Sequence, residues 1–189
     1  NQLESFCLEV SKKVLVFVDE AYHEYALDGN YKSMSHLVNA NNKILISRTA
    51  SKVHGLAGLR VGYAIANNDI TKRLSSYLTG SLNVVGLRAA IASYNDKNFQ
   101  AFSIKKNNQA RKIVTDHLDK KGIKYLKSHT NFIFLKTGMD INKFQPAMEK
   151  HGVIVGRPFL PYKDWCRLSM AKPEEMKFFN KGLDKVLSI

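Results

Sequence analysis

The segment SRTASKVHGLAGLRVGY, residues 47–63, places one lysine among hydroxyl side chains and ahead of an arginine. Thr49 and Ser51 precede Lys52, and Arg60 follows after two glycines that let the backbone bend back. Hydroxyls and a planar guanidinium are groups that bind phosphate. A lysine amine beside an anion pocket suits an enzyme that forms a Schiff base with a phosphorylated aldehyde. The alternative is an ordinary basic loop with a solvated lysine.

A second polar pair follows the apolar run VLVFVDE, residues 14–20. Such a run is typical of a buried parallel strand, and ligands bind at the carboxyl ends of these strands. Asp19 has the chemistry to pair with a protonated pyridine nitrogen, and Tyr22 to hydrogen-bond the phenolic oxygen of the same ring. The alternative roles are a turn cap for Asp19 and a half-buried aromatic for Tyr22. Two strand ends of one sheet are able to bring Asp19 and Lys52 around one ligand.

The elements that must position these residues form an α/β pattern. Apolar runs predict strands at 14–20, 43–49 and 60–66, with a turn at 28–30 between the first two. Helices are predicted over 81–95 and 97–121, and later strands include VIVG and WCRLSMA. The predicted domains are a mostly parallel α/β part (1–80), a connecting helix (81–100) and a small α+β domain (101–189).

Composition restricts the class of protein. The chain has 189 residues, a net charge of +13 and a pI near 9.7, which favours anionic partners. Its lysines are scattered, so we expect a solvated basic surface and no nucleic-acid partner. Cys7 and Cys166 match no metal spacing, which predicts free thiols in a reducing, cytoplasmic compartment and no metal. No run approaches the roughly 20 apolar residues of a membrane span, and the start at Asn1 suggests a fragment or a processed chain.

VFVDEAYHEY followed by ISRTASKVHGLAGLRVGY resembles the class I/II aminotransferases among the fold-type-I pyridoxal-phosphate (PLP) enzymes. The resemblance is closest to the histidinol-phosphate aminotransferases. It implies that Lys52 forms the Schiff base with PLP and then carries the proton between substrate and cofactor. It further implies that Asp19 binds the pyridine nitrogen and Tyr22 the 3′-oxygen. The implied phosphate ligands are Thr49, Ser51 and Arg60.

GVIVGRPFLPYKDWCRLSM, residues 152–170, resembles the small-domain segment of the same family. It implies that Arg167 binds the anionic end of the substrate. Arg157 is a second candidate anion contact, although this chain has VGRP where the family has VRP. His54 stands at a variable position of the lysine motif and is interpreted as structural.

The resemblance covers this chain but only the back half of a full-length enzyme. The part outside it is expected to carry a helix start that binds the PLP phosphate, a ring-stacking aromatic, and a tyrosine that reaches across a homodimer. We therefore expect the 189-residue chain alone to be inactive.

The predicted activity is PLP-dependent transamination of histidinol phosphate or a related amino acid with glutamate or 2-oxoglutarate. The partners would be small molecules, with no nucleic acid and no membrane. One alternative keeps PLP but decarboxylates a phosphorylated amino acid. Another is a non-catalytic basic binding module, although binding a phosphate backbone requires neither Asp19 nor Tyr22.

Overall fold

The structure is a computed structural model that describes residues 2–26, 31–39 and 43–188. The turn predicted at 28–30 lies outside these ranges. The chain divides into two compact units, residues 1–100 and 101–189. The segment 81–100, predicted as a connector, clusters with the first unit.

The first unit combines helices with a three-stranded sheet. Short 3₁₀ helices cover His23–Tyr25, Met34–Leu37 and Ala57–Leu59. The regular elements, in chain order, are α1 (Gln2–Ser11), β1 (Val16–Asp19), β2 (Ile44–Thr49), β3 (Gly62–Ala66), α2 (Asn68–Ser75) and α3 (Val84–Asn95).

The sheet of the first unit has the order β1-β2-β3 and is mixed. β1 and β2 are parallel, with Asp19 opposite Ser47 at the end of the pair. β3 runs antiparallel to β2, with Thr49 opposite Gly62. The sheet is therefore less parallel than the sequence predicted. The connection from β2 to β3 has the length of a crossover but forms a turn and one 3₁₀ helix, so the chain reverses direction.

The core of the first unit packs on one face of β1 and β2. Its buried apolar residues come from α1, the sheet and the 3₁₀ helix that begins at Met34: Cys7, Val16, Met34, Leu37, Ile44 and Ile46. Phe17, between Val16 and Val18, is 60% exposed. β1 is parallel to β2, as predicted, but only one of its faces is buried in this chain, since alternate side chains point to opposite faces.

Helix α4 (Lys97–Lys120) begins in the first unit and ends in the second. It is followed by β4 (Tyr125–Leu126), β5 (Phe132–Lys136), α5 (Ile141–Glu149), β6 (Trp165–Ser169) and α6 (Pro173–Leu187). The strands form an antiparallel sheet in the order β4-β5-β6. Gly122 ends α4 with φ +67°, and Pro173 opens α6.

The predicted VIVG strand is absent: residues 153–156 have no regular structure. The Gly156 N–H donates to the Arg167 carbonyl at 3.1 Å, but this one bond does not extend into a ladder. Val153 and Val155 still point into the core of the second unit, which explains the apolar pattern. In the described part of the chain, no helix is both long and apolar enough to cross a membrane.

Candidate active site

The loop between β2 and β3 holds Lys52 in a tight turn. The Gly55 N–H donates to the Lys52 carbonyl at 3.0 Å, and Gly55 has φ +69°, a conformation that glycine adopts without strain. Ala50 closes the loop, donating to the Val61 carbonyl and accepting from the Leu56 N–H, each at 3.0 Å. Ala50 is also fully buried, so the backbone that carries Lys52 is anchored on both sides.

The Lys52 side chain is half-buried and approaches an aromatic ring. Its Nζ lies 5.1 Å from the centroid of the Tyr22 ring, a distance at which a cation is attracted to the π face. Within the ranges that the structure describes, the amine forms no ion pair. The amine is therefore not neutralised by a carboxylate of these residues.

Asp19 is fixed at the end of β1 with its carboxylate exposed. The Ser47 hydroxyl donates to Asp19 Oδ1 at 2.9 Å, and the Ala21 N–H donates to the same oxygen at 3.1 Å. The first bond follows from the strand register, which sets Asp19 opposite Ser47. This arrangement orients a negative charge at the edge where β1 and β2 end.

The predicted phosphate ligands are only partly brought together. Thr49 Oγ1 lies 2.8 Å from Ser51 Oγ and accepts from the Ser51 N–H at 3.1 Å. The guanidinium of Arg60 instead donates to the Ala57 carbonyl at 2.8 Å and is exposed. The structure thus places two hydroxyls directly before Lys52, with Arg60 turned onto its own loop.

Glu20, the residue after Asp19, forms a buried ion pair with Arg48 that the sequence did not predict. Both Nε and Nη2 of Arg48 donate to Glu20 Oε2, at 3.0 and 2.9 Å, and Glu20 is only 4% exposed. Glu20 also accepts from the Ser33 hydroxyl and from the Met34 N–H. Burial disfavours the Arg48 charge, but hydrogen bonds to Glu20 and Tyr63 outweigh it and raise the pKa of Arg48. The pair ties β1 to β2 one residue beyond Asp19.

The histidine of the lysine motif is buried two residues after Lys52. His54 is 3% exposed, its Nδ1 lies 2.9 Å from Ser93 Oγ, and its ring centroid lies 4.0 Å from that of Tyr94. Burial lowers the pKa of His54, although the Glu24 carboxylate acts in the opposite direction. The packing agrees with the structural role expected from the sequence.

Two arginines of the second unit share one aromatic ring. The Arg167 guanidinium carbon lies 4.2 Å from the centroid of the Phe132 ring and 5.7 Å from that of Phe159. The Arg157 guanidinium carbon lies 4.5 Å from the centroid of Phe159. The two predicted anion-binding residues, Arg157 and Arg167, therefore both lie beside the Phe159 ring.

Gly156 accounts for the extra residue before Arg157. A Cβ at this position would lie 2.5 Å from the Arg167 carbonyl oxygen, so only glycine fits so close to β6. The Gln145 amide also donates to the Gly156 carbonyl at 2.8 Å. The inserted glycine thus packs the segment against the strand that carries Arg167.

Aromatic side chains gather around these arginines, and the sequence reasoning did not identify them. The ring of Phe134 stacks on Trp165 at 5.1 Å between centroids and meets Phe159 and Tyr162 edge-on at 6.0 and 5.9 Å. Their spacing in the chain is irregular, and only the pairing of β5 with β6 brings Phe134 beside Arg167. The resulting surface combines two cations with apolar rings.

Similarity to solved structures defines the class of protein. A crystal structure from Erwinia carotovora atroseptica SCRI1043, assigned as a histidinol-phosphate aminotransferase, is 34% identical with a TM-score of 0.91. The match covers 97% of this chain and 54% of that one. The histidinol-phosphate aminotransferase of Sinorhizobium meliloti in complex with pyridoxal-5′-phosphate has a TM-score of 0.86 at 24% identity, which supports the fold alone. The fold is that of the fold-type-I aminotransferases.

The family follows from the sequence comparison. A model of the family "Aminotransferase class I and II" matches residues 2–179. Histidinol-phosphate aminotransferase 2 of Hydrogenovibrio crunogenus is 32% identical over 192 residues, and the enzyme of Brevibacillus brevis is 32% identical over 194. The chain therefore belongs to the class I and II aminotransferase family, and the predicted membership is confirmed. All of the chain aligns in both comparisons, but it spans only 51% and 50% of these relatives.

Proposed function

We propose that this chain is the lysine-bearing C-terminal portion of a PLP-dependent aminotransferase. The observation that carries the proposal is the Lys52 amine, which lies over the Tyr22 ring without a carboxylate partner among the described residues. The names of the relatives support transamination of histidinol phosphate with glutamate or 2-oxoglutarate as the reaction. We further propose that the full-length enzyme is a homodimer, and that its free thiols at Cys7 and Cys166 belong in the cytoplasm.

The donor set of the first unit fits pyridoxal phosphate. An oriented, exposed carboxylate (Asp19) suits a protonated pyridine nitrogen, and the hydroxyls of Thr49 and Ser51 suit a phosphate. When bound, PLP supplies an electron sink for the electrons of the substrate's Cα–H bond. Asp19 would hold the ring in its protonated form, and Tyr22 would donate to the 3′-oxygen.

Lys52 would hold PLP covalently and afterwards move the proton at the substrate's α-carbon. Its backbone is anchored by the loop hydrogen bonds, and its amine lies 5.1 Å from the centroid of the Tyr22 ring. A positioned base of this kind contributes about 10²- to 10⁴-fold to a proton transfer. Arg60, which is exposed, would turn from the Ala57 carbonyl to reach the phosphate.

We assign the anionic end of the substrate to Arg167 and Arg157. Two guanidinium groups over one ring offer more donors than a single carboxylate requires, and a phosphate monoester fits them better. The surrounding rings favour a substrate that also carries a flat, partly apolar group. Histidinol phosphate has both features.

The proposal is tested on the full-length protein. With PLP bound, borohydride reduction followed by peptide mapping is expected to place the label on Lys52, and a K52A variant is expected to lose it. A K43A variant is the control, because Lys43 is an exposed lysine at the opposite end of β2 from Lys52. A label on any other lysine would overturn the assignment.

Product analysis separates transamination from decarboxylation. With histidinol phosphate and 2-oxoglutarate, we expect glutamate to accumulate without release of carbon dioxide. Carbon dioxide from a phosphorylated amino acid would favour the decarboxylase instead. The 189-residue chain is assayed in parallel and is expected to show no turnover. The helix start, the ring-stacking aromatic and the tyrosine expected to complete the PLP site lie outside it.

A further inference from the structure

His54 connects the two segments whose side chains meet at Lys52. Glu24 lies in the 3₁₀ helix that follows Tyr22, and its Oε1 is 3.7 Å from His54 Nε2. Tyr22 lies two residues before Glu24 in one segment, and Lys52 lies two residues before His54 in the other. The Lys52 amine faces the Tyr22 ring. The Glu24–His54 contact and the Lys52–Tyr22 contact therefore join the same two segments of the chain.

The other side of the imidazole is fixed by α3. Ser93 Oγ lies 2.9 Å from Nδ1, and the Tyr94 ring packs against the imidazole at 4.0 Å between centroids. The ring is held on one side by a hydrogen bond and a tilted aromatic ring, and it presents Nε2 to Glu24 on the other. This arrangement gives the imidazole one orientation.

The Glu24 carboxylate favours the tautomer with its proton on Nε2, because the other would turn the Nε2 lone pair towards a negative charge. If Nδ1 accepts from the Ser93 hydroxyl, Nε2 carries the proton and points its positive N–H dipole at the Glu24 carboxylate. At 3.7 Å the contact is longer than a hydrogen bond, and Nε2 has no other partner in the described ranges. A buried polar atom left in this state requires an explanation.

A hydrolytic Ser–His–Glu triad does not explain it. The His54 side chain is 0% exposed, so no substrate reaches the imidazole. The catalytic serine of such a triad must face a substrate pocket, whereas Ser93 lies on α3 with its hydroxyl committed to a buried ring. The geometry fits support of a neighbouring group better than chemistry at the imidazole itself.

We propose that His54 is a positioning residue, whose Nε2–H, aimed at Glu24, holds the Lys52 amine against the Tyr22 ring. That His54 holds the Lys52 amine in place does not depend on any activity. Only the effect of His54 on catalysis rests on the proposed aminotransferase function. The charged and titratable groups around the imidazole are Glu24 from the 3₁₀ helix, Tyr94 from α3, Tyr63 from β3 and Lys97 from α4. Glu24 is the only acid among these four.

Three variants separate the polar contact from the packing. H54F keeps an aromatic ring packed against Tyr94 but removes both nitrogens. H54Q keeps an N–H group close to the position that Nε2 occupies in the wild type. E24Q keeps the shape of Glu24 but removes its charge. S93A is the matched control, because it deletes the bond to Nδ1 while leaving Glu24 and Nε2 facing each other.

The first readout is the reactivity of Lys52 in the cofactor-free, full-length protein, measured by reductive methylation and mass spectrometry across pH. In H54F and E24Q we expect Lys52 to react severalfold faster, because its amine leaves the Tyr22 ring. H54Q is expected to follow the wild type, and S93A to depart from it less than H54F does. Overlapping profiles for wild type, H54F and E24Q would overturn the proposal, and E24Q alone decides if H54F does not fold.

The second readout is the tautomer of His54, read from its ¹⁵N shifts in the same cofactor-free protein. A proton on Nε2 is expected, and a proton on Nδ1 would overturn the proposal. In the enzyme with PLP, H54F is expected to lower kcat on the order of tenfold, with a smaller effect on KM, as a misplaced catalytic group does. Altered Lys52 reactivity together with a borohydride label elsewhere would retain the positioning role and refute the proposed function.

Discussion

At the scale of single residues, the carboxylates of Asp19 and Glu20 have opposite surroundings. Asp19 is exposed at the strand end with its charge available, whereas Glu20 is buried and satisfied by Arg48, Ser33 and the Met34 amide. The alternation of side chains along β1 assigns them to opposite sides. One acid is therefore available to a ligand, and its neighbour holds the sheet together.

Removing the charge of Glu20 is expected to destabilise the first unit strongly. E20Q leaves the Arg48 guanidinium, on a side chain that is 17% exposed, without its counter-charge, and breaking a buried pair costs about 3–5 kcal/mol. E9Q is the control, since the Glu9–Lys12 pair is exposed and its loss changes stability by less than about 0.5 kcal/mol. Urea unfolding of the 189-residue chain measures both, and equal effects of the two substitutions would contradict the buried role of Glu20.

Sequence reasoning located the reactive residues better than their supports. Lys52 and Asp19 stand in a pattern specific enough to identify the family, which the comparisons confirmed. The pairing of Glu20 with Arg48 depends on the register of β1 against β2, which no local pattern encodes. The same holds for Glu24 and His54, which meet only because two loops fold together.

At the scale of elements, the turn after Lys52 depends on one glycine. Gly55 has φ +69°, while Gly58, three residues later, does not adopt a positive φ. A Cβ at either position would meet nothing within 4 Å. The two glycines of the motif therefore differ only in backbone conformation, which makes them a matched pair.

G55A is expected to destabilise the chain by about 1–2 kcal/mol, because an L-residue is strained in the left-handed region. G58A is expected to be neutral or slightly stabilising, since alanine reduces the freedom of the unfolded chain. Thermal unfolding followed by circular dichroism compares them. A loss of stability in G58A as large as that in G55A would show that the glycines serve close packing and not the turn.

The predicted strands were least reliable where the side chains alternate between buried and exposed but the backbone forms no ladder. The apolar run VIVG points Val153 and Val155 into a core, as a strand would, yet its backbone leaves β6 after a single hydrogen bond. β3 was located correctly, but its direction depends on how the Lys52 loop closes. Periodicity reports which side chains are buried, and ladder pairing is a long-range property.

At the scale of the whole molecule, the two compact units differ in the size of their cores. Among the residues that the structure describes, the cluster in the second unit contains fifteen buried residues drawn from α4, β5, α5, β6, α6 and the segment 153–155. Counted in the same way, the cluster in the first unit contains six, and large apolar side chains such as Phe17 and Val85 remain exposed there. Because apolar burial is the main favourable term in folding, the second unit is expected to be the more stable.

Hydrogen exchange in the 189-residue chain tests this difference. Amides of β5 (Phe132–Lys136) are expected to exchange more slowly than those of β2 (Ile44–Thr49), since protection follows the free energy of local opening. L135A, at a fully buried site, should reduce stability by about 2–5 kcal/mol and accelerate exchange in β5. I46V, in the first unit, should accelerate exchange in β2 while leaving β5 unchanged. Equal protection of both strands, lost together in either variant, would show that the chain opens as one cooperative body.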